Sequence, residues 1–215
     1  MTLGRRLGTL RLLYRTGGGH AVLAHGLALL GYRKILVYEL DLGVPPAPLE
    51  ATGDLTCGWL TESEIDELAR ARPDIPRTKW EDRLARGDRC WVARQDGRIV
   101  SSRWVTLGPA TVASTGVRCA VPAGYGYVHD SFTSADVRGR RIGPAAGMRL
   151  ASALASEGVQ TLLAFVEAGN HWAVRNAENA AYRQTGSLVK LAVWKWIVPV
   201  RRNTALDAHI ERKQP

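Results

Sequence analysis

The chain has 215 residues, of which 46% are hydrophobic, so it can bury a full core and is not expected to be disordered. Its formal net charge of +9 favours a polyanionic ligand or partner: nucleic acid, an anionic membrane, a nucleotide cofactor or an acidic carrier protein. Cys57, Cys90 and Cys119 form no CxxC pair, and neither HExxH nor another metal-ligand spacing occurs, which argues against a disulfide framework and a metal site. The cysteine pattern predicts a reducing, cytoplasmic compartment, and the excess of arginine over lysine is typical of GC-rich bacterial genomes.

Residues 1–34 form a basic segment in which arginines alternate with leucines before an apolar run from Ala21 to Leu30. The run is too short to cross a bilayer, and basic residues follow it, which does not fit a secretory signal peptide. Two interpretations of this basic N-terminal helical extension stay open. It is an amphipathic helix that contacts a membrane surface or an acidic partner, or two short helices that pack on the domain or form a homodimer.

The first half of the remaining chain shows strand, helix and hairpin patterns. Helical spacing of apolar residues follows good capping residues, and Asp96-Gly97 between two apolar runs is a strong hairpin signal. In order, the prediction is a strand over 35–42, a proline-rich connector over 43–49, a helix capped by Thr61 or Ser63, a helix over 79–86, hairpin strands over 89–94 and 98–107, and a substrate-covering loop over 108–123.

The second half begins with a predicted central strand from Gly124 to Thr133. Alternation of side chains places Tyr125, Tyr127, His129 and Ser131 on one face, and Val128, Asp130 and Phe132 on the other. A turn rich in glycine and arginine follows, and then a helix to Ser156 that Gly158 ends.

A nearly continuous apolar run over 160–167 predicts a buried strand, joined to the central strand by a right-handed crossover and therefore parallel to it. Asn170 is expected to cap a helix that runs to about Gln184 and ends at Gly186. The pattern over 188–198 predicts a last strand or strand pair, and 201–215 form a charged tail.

The turn between the central strand and its helix has the composition of an anion site. Glycines allow the backbone to approach a ligand closely, and the first amides of the helix point outward at the positive end of its dipole. Arg138, Arg140 and Arg141 add positive charge. An ordinary strand-to-helix loop with solvated arginines explains the same residues equally well, so the pattern alone leaves both interpretations open.

Two motifs carry a resemblance. Arg138-Gly139-Arg140-Arg141-Ile142-Gly143 is similar to an Arg-Gly-x-Gly-Ile-Gly turn, with Arg141 in place of the central glycine. Asn170 begins an Asn-x-x-Ala-x-Arg match, and Tyr182 lies four residues before Gly186, as in Tyr-x-x-x-Gly-Phe, although Ser187 replaces the phenylalanine. These motifs, on the predicted elements and in this order, resemble the GNAT superfamily of acyl-CoA-dependent N-acetyltransferases over about residues 35–200.

The resemblance implies an α/β (α+β) fold. A central mixed, mostly antiparallel sheet would contain one parallel, splayed strand pair and be flanked by helices. The acyltransferase domain would span residues 35–200, between the N-terminal extension 1–34 and the charged C-terminal tail 201–215.

The resemblance also implies a donor site for acetyl-CoA or another acyl-CoA, and no metal. The pyrophosphate would bind the amides of Arg138 to Gly143, and the pantetheine arm would follow the strand end at Phe132 to Ala135. An amide near Phe132 or Thr133 would stabilise the oxyanion. Asn170 is a further contact for pantetheine or only a helix cap.

For catalysis, the resemblance makes Tyr182 the general acid that protonates the leaving thiolate; the alternative is a tyrosine of the core. A histidine near its ordinary pKa suits a general base, so His129 is favoured over Asp130, and Glu167 is third. By alternation, only one of His129 and Asp130 can face the cleft.

The acceptor would be an amine on a small molecule or a peptide, and no motif identifies it further. Two alternatives remain. The donor is an acyl carrier protein that binds the basic N-terminus, or the chain is a non-catalytic module that binds nucleic acid or a membrane. Nucleic acid is the weaker partner because the arginines are spread along the chain and no helix-turn-helix signature occurs.

Overall fold

The protein is described from a computed structural model, which covers residues 33–43, 49, 51, 53–112, 117–191 and 196–201. Most of the predicted N-terminal extension, the interior of the proline-rich connector and almost all of the charged tail therefore lie outside the described residues. No helix within the described ranges is long and apolar enough to cross a membrane.

An eight-stranded sheet forms the centre of the described chain, in the order β10-β9-β1-β8-β7-β4-β3-β2. Every neighbouring pair is antiparallel except β7 and β8, which are parallel. The strands are β1 (Arg33–Asp41), β2 (Thr56–Trp59), β3 (Arg89–Gln95), β4 (Arg98–Thr106), β5 (Pro109–Val112), β6 (Val117–Ala120), β7 (Tyr125–Thr133), β8 (Thr161–Glu167), β9 (Arg183–Leu191) and β10 (Trp196–Arg201). This confirms the predicted mixed, mostly antiparallel sheet with one parallel pair.

Within the described ranges, four α-helices cover the two faces of this sheet: α1 (Ile65–Ala71), α2 (Arg77–Ala85), α3 (Ile142–Ser156) and α4 (His171–Asn179). Apolar side chains of α1 and α2 pack on one face in a cluster centred on Trp80 and Trp104. The apolar stripe of α3 packs on the opposite face, with Leu150 and Leu154 against Val105. The sheet therefore has an α1/α2 face and an α3/α4 face, and the candidate site lies between them.

The strand β1 comes first among the described strands but lies inside the sheet, between β8 and β9. It pairs with β8 from Ile35, opposite Glu167, to Asp41, opposite Thr161. Ile35 and Tyr38 are almost completely buried. The strand predicted over 35–42 is therefore a core strand of the sheet.

The parallel pair separates towards its carboxyl end. The pairing of β7 with β8 begins where Tyr125 lies beside Thr161 and ends where Val128 lies beside Ala164. Both strands continue, β7 to Thr133 and β8 to Glu167, so a gap opens between their last residues. This is the splayed arrangement expected from the resemblance.

A β-bulge interrupts β7 beside this gap. His129 pairs with Trp104 and Phe132 pairs with Ser102, so two residues of β7 lie opposite one residue of β4. Asp130, in the bulge, has a positive φ of 44° instead of an extended conformation. A bulge inserts one residue and shifts the side-chain alternation beyond it, so the alternation predicted for this strand is wrong after His129.

Two predicted elements are wrong. Residues 108–123 are not simply a loop, because β5 and β6 pair there as a separate two-stranded sheet whose Ala110 packs near Tyr127. The helix that Asn170 begins ends at Asn179, not near Gln184, and Gly186 lies inside β9. Ala181, with a positive φ of 60°, reverses the chain between them.

Candidate active site

The turn that joins β7 to α3 is tight and contains two residues with a left-handed backbone conformation. A short 3-10 turn over Ala135–Val137 leads to Gly139, whose φ is 82°, and to Arg141, whose φ is 58°. Arg141 is the N-cap of α3 and lies in the left-handed region, which costs a residue with a Cβ about 1–2 kcal/mol. The deviation from the glycine pattern is therefore a strained residue at a position where glycine fits without strain.

The amides of this turn are suited to an anion. Within the part of the chain that the structure describes, the amides of Gly139, Arg141, Ile142 and Gly143 have no hydrogen-bond partner. Nothing lies within 4 Å of the position that a Cβ on Gly139 would take. The side chains of Arg138, Arg140 and Arg141 are exposed around it. Free amides at a helix N-terminus, open space and surrounding cations are the features of a phosphate-binding turn.

The helix α3 begins very close to the end of β7. A Cβ on Gly143 would lie 2.8 Å from Oγ1 of Thr133, so only glycine allows this approach without a shift. On the strand side, Ser101 Oγ donates to the carbonyl oxygen of Phe132 at 2.7 Å and lies 3.3 Å from Thr133 Oγ1. These contacts fix the strand end against the helix.

The backbone at this strand end offers an amide to the gap. The amide of Ser134 donates to the carbonyl oxygen of Val100 in β4 at 2.9 Å. Because successive amides of a strand point to opposite sides, the Thr133 amide points away from β4, towards the gap beside β8. Of the two residues predicted to stabilise an oxyanion, Thr133 therefore has the suitable amide direction.

His129 lies at the start of the bulge in a chain of hydrogen bonds. Thr106 Oγ1 donates to Asp88 Oδ1 at 2.6 Å and lies 3.1 Å from His129 Nε2. A hydroxyl has one proton to donate, so Nε2 must be the donor to Thr106, and the lone pair of Nδ1 remains available. Burial, helped by the positive charge of Arg83, lowers the pKa of His129 to about 4, so the imidazole is neutral at neutral pH.

Asp130 is held by two buried arginines. Its Oδ2 accepts from Arg83 at 2.7 Å and its Oδ1 from Arg72 at 3.4 Å, and the side chains of these arginines are only 8% and 9% exposed. The guanidinium of Arg83 lies 5.1 Å from the ring centre of Trp80 and 5.0 Å from that of Trp104. Both carboxylate oxygens of Asp130 are thus engaged in ion pairs.

His129 and Asp130 lie on the same face of the sheet. His129 is opposite Trp104, which stacks on Trp80 of α2, and Asp130 reaches Arg83 of the same helix. The expectation that only one of the two faces this side is wrong, because the bulge places neighbouring residues on one side of the strand.

The chain after β8 carries Asn170, which caps α4 as predicted: its side-chain oxygen accepts from the amide of Ala173 at 3.1 Å. Glu167 is the last residue of β8 and pairs in register with Ile35 of β1. Both residues lie at the carboxyl end of β8, where the gap opens.

Tyr182 lies between α4 and β9 on the α3/α4 face, opposite to the face of His129. Its amide donates to the carbonyl oxygen of Ala177 at 3.0 Å, and its ring packs between the cluster of Leu150 and the cluster of Tyr38. Burial raises the pKa of the Tyr182 phenol to about 12, and the positive charge of Arg103 opposes that shift. The hydroxyl therefore carries its proton at neutral pH.

The sequence around this site also matches a known protein family. The model of the acetyltransferase (GNAT) family matches residues 56–182, which is more than half of the chain. The chain belongs to the GNAT family. The matched range contains every candidate residue from His129 to Tyr182, whereas β1, β9 and β10 lie outside it.

Solved structures share the fold of this GNAT chain at low sequence identity. A GCN5-related N-acetyltransferase from Sphaerobacter thermophilus has 18% identity and a TM-score of 0.54, with 87% of this chain and 58% of that chain covered. A protein assigned to the GNAT family from Novosphingobium aromaticivorans has 16% identity and a TM-score of 0.52, with 74% and 62% covered. A glucosamine N-acetyltransferase region of a fungal multi-domain GH3 β-N-acetylglucosaminidase has 17% identity and a TM-score of 0.58, with 80% and 22% covered.

These similarities show the fold and not the substrate. The chain spans less than two thirds of the length of each of the three structures. No curated protein matches the sequence significantly.

Three residues of this GNAT site were missed in the sequence: Asp88, Thr106 and Arg103. Along the sequence, Asp88 comes just before the first hairpin strand and Thr106 lies at the end of the second. Only the pairing of these strands brings the two residues together beside His129. Arg103 had a signal, because it is a charged residue in the otherwise uncharged run from Ile99 to Leu107. A charged residue within an otherwise buried strand needs a partner, and that criterion could have singled it out.

Proposed function

We propose that this protein is an N-acyltransferase that moves an acyl group from acetyl-CoA, or another acyl-CoA, to an amine. The observation that carries the proposal is the gap between β7 and β8. It lies between a turn with free amides and a strand that bears a neutral, oriented histidine. In this protein an acyl thioester would therefore have an anchor on one side and a base on the other.

The donor is held mainly by backbone groups. Its pyrophosphate binds the free amides of Gly139, Arg141, Ile142 and Gly143, supported by the exposed arginines of the turn. Its pantetheine arm follows β7 from Phe132 to Ala135 and places the thioester in the gap. The Thr133 amide, directed into that gap, donates to the carbonyl oxygen as negative charge develops on it.

The acceptor amine approaches from the α1/α2 face. Its nitrogen attacks the thioester carbonyl carbon, and His129 Nδ1 takes the proton that the amine loses. The hydrogen bonds from His129 to Thr106 and from Thr106 to Asp88 keep the ring in the tautomer that leaves Nδ1 free. Asp130 is less suited to this role because both of its oxygens are engaged by arginines.

The leaving group is the thiolate of coenzyme A. When the carbon–sulfur bond breaks, the electron pair stays on sulfur, and Tyr182 donates its phenolic proton to it. The phenol is protonated at neutral pH, which is the form that a general acid requires. No group besides donor, acceptor and these side chains is needed, so positioning provides much of the rate enhancement.

The test combines binding with product analysis. Acetyl-CoA should raise the melting temperature of the full chain, and mass spectrometry after incubation with an amine panel should detect an acylated product. Tyr182→Phe should keep donor binding and lower turnover by about a hundredfold. No shift with any acyl-CoA or acyl carrier protein, together with salt-sensitive DNA binding, would contradict the proposal and favour a nucleic-acid-binding module.

A further inference from the structure

Arg103 is an arginine of β4 whose side chain lies beneath the first turns of α3. One of its Nη atoms donates to the carbonyl oxygen of Gly143 at 2.7 Å. A Cβ on Gly147 would lie 3.0 Å from its Cζ, so the helix presents glycine where the guanidinium packs. Two glycines one turn apart in α3 thus make room for the guanidinium of Arg103, whose Nε is buried.

Among the described residues, Arg103 has no carboxylate partner. Its Nε is buried without a hydrogen-bond partner, and in the described parts of the chain no aspartate or glutamate forms an ion pair with Arg103. The buried Arg72 and Arg83 differ, because both bind Asp130. Burying part of a guanidinium without a carboxylate partner is unfavourable, so we expect an anion to bind next to Arg103 when the acyl donor is bound.

The position of the guanidinium indicates which part of the donor supplies this anion. It lies beside Gly147, one helical turn beyond the amides of the turn that would bind pyrophosphate. Because α3 runs back along β7 after the connecting turn, its second helical turn lies farther from the phosphates and nearer to the closed end of the gap, where the β7–β8 pairing stops at Val128. Tyr182 lies on the same face of the sheet, and the positive charge of Arg103 opposes the rise that burial causes in the pKa of its phenol.

We propose that Arg103 supplies the positive charge that, together with the Tyr182 hydroxyl, stabilises the thiolate leaving the acyl donor. This inference rests on the proposed acyl transfer. The amine forms the new carbon–nitrogen bond and gives its proton to the base, while the carbon–sulfur electron pair stays on sulfur. Arg103 remains protonated throughout, and it acts by charge, not by proton transfer.

The experiment compares coenzyme A with its desulfo analogue, which lacks the thiol. Dissociation constants are measured by calorimetry from roughly pH 7 to 10, a range in which an ordinary thiol becomes a thiolate. The wild-type protein should prefer coenzyme A increasingly as the pH rises. Arg103→Met, which keeps the length and removes the charge, should lose about tenfold or more of that preference, and Arg103→Lys should retain part of it.

A second variant tests the position without removing the charge. Gly147→Ala places a methyl group against the guanidinium, and alanine favours the helical conformation, so the protein should fold. It should reduce the preference for coenzyme A without abolishing it. This variant and Arg103→Lys decide the question if Arg103→Met does not fold.

The outcomes separate the two proposals. If Arg103→Met weakens the binding of coenzyme A and of desulfo-coenzyme A equally, the thiolate role is overturned and Arg103 is a phosphate contact. Unchanged binding of both ligands by folded variants would overturn it completely. If the wild-type protein binds neither ligand, the proposed acyl transfer fails, and this inference fails with it.

Discussion

The two faces of the sheet build their parts of the candidate site in different ways. On the α3/α4 face, the donor turn uses free amides and close backbone contacts, such as that of Gly143 with Thr133. On the α1/α2 face, the surroundings of His129 consist of side chains, with Asp130 between two buried arginines. Backbone groups keep their place when a surface residue changes, whereas the side-chain network depends on each of its members.

The largest expected effect breaks the side-chain network. Asp130→Asn keeps the shape of the side chain but removes the charge that Arg83 and Arg72 share. Because these arginine side chains are only 8% and 9% exposed, we expect a loss of about 3 kcal/mol in the free energy of unfolding, measured with urea.

The matched control for this change is Asp66→Asn. Its ion pair with Arg77 lies at the surface, with side chains 67% and 52% exposed, so the loss should stay below about 1 kcal/mol. Equal losses in both variants would show that the Asp130 network is no more important for stability than a surface pair.

A pH-dependent effect of similar size concerns His129. Its pKa is about 4 in the folded protein against 6.5 ordinarily, so the unfolded chain binds the proton first as the pH falls. Folding stability should therefore decrease between pH 6.5 and about 4, by about 3 kcal/mol from this residue, and not at higher pH.

His129→Gln should remove this pH-dependent part of the folding stability, because glutamine does not titrate and can still donate a hydrogen bond to Thr106. The measurement is the difference between the wild-type and variant unfolding free energies across that pH range. A difference that does not change with pH would mean that burial leaves the histidine at its ordinary pKa.

Sequence patterns predicted the backbone-built side well. Glycines, helical spacing and the Asn170 cap are local signals, and the turn, α3 and the start of α4 lie where they were expected. The side-chain network could not be predicted in this way. Asp88 and Thr106 come together only through the pairing of β3 with β4, and nothing in the sequence marks the extra residue at Asp130.

The errors at residues 108–123 and at the end of α4 have local causes. The short strands β5 and β6 are rich in small residues and lack the aromatic and alternating pattern of a typical strand. Gly186 was interpreted as the end of a helix, yet it lies in β9 next to a register shift opposite Val37. Tertiary pairing decided both regions.

A smaller effect tests the backbone-built side. Gly143→Val adds a branched side chain where even a Cβ would lie 2.8 Å from Thr133 Oγ1, so α3 must move away from β7. We expect a stability loss of about 2 kcal/mol and about tenfold weaker binding of acetyl-CoA by calorimetry. Gly108→Ala is the control, since nothing lies within 4 Å of its Cβ position, and it should bind the donor normally.

The smallest effect separates the two interpretations of Asn170. Asn170→Ala removes the acceptor for the Ala173 amide, and the loss of a helix cap should cost about 1 kcal/mol in thermal or urea unfolding. If the residue is only a cap, donor affinity should be unchanged once the protein is folded. If it also contacts pantetheine, acetyl-CoA should bind about fivefold more weakly. Asn170→Ser, which retains a capping oxygen but shortens the side chain, should recover stability in both cases. Its donor affinity should equal that of the wild type in the first case and stay reduced in the second.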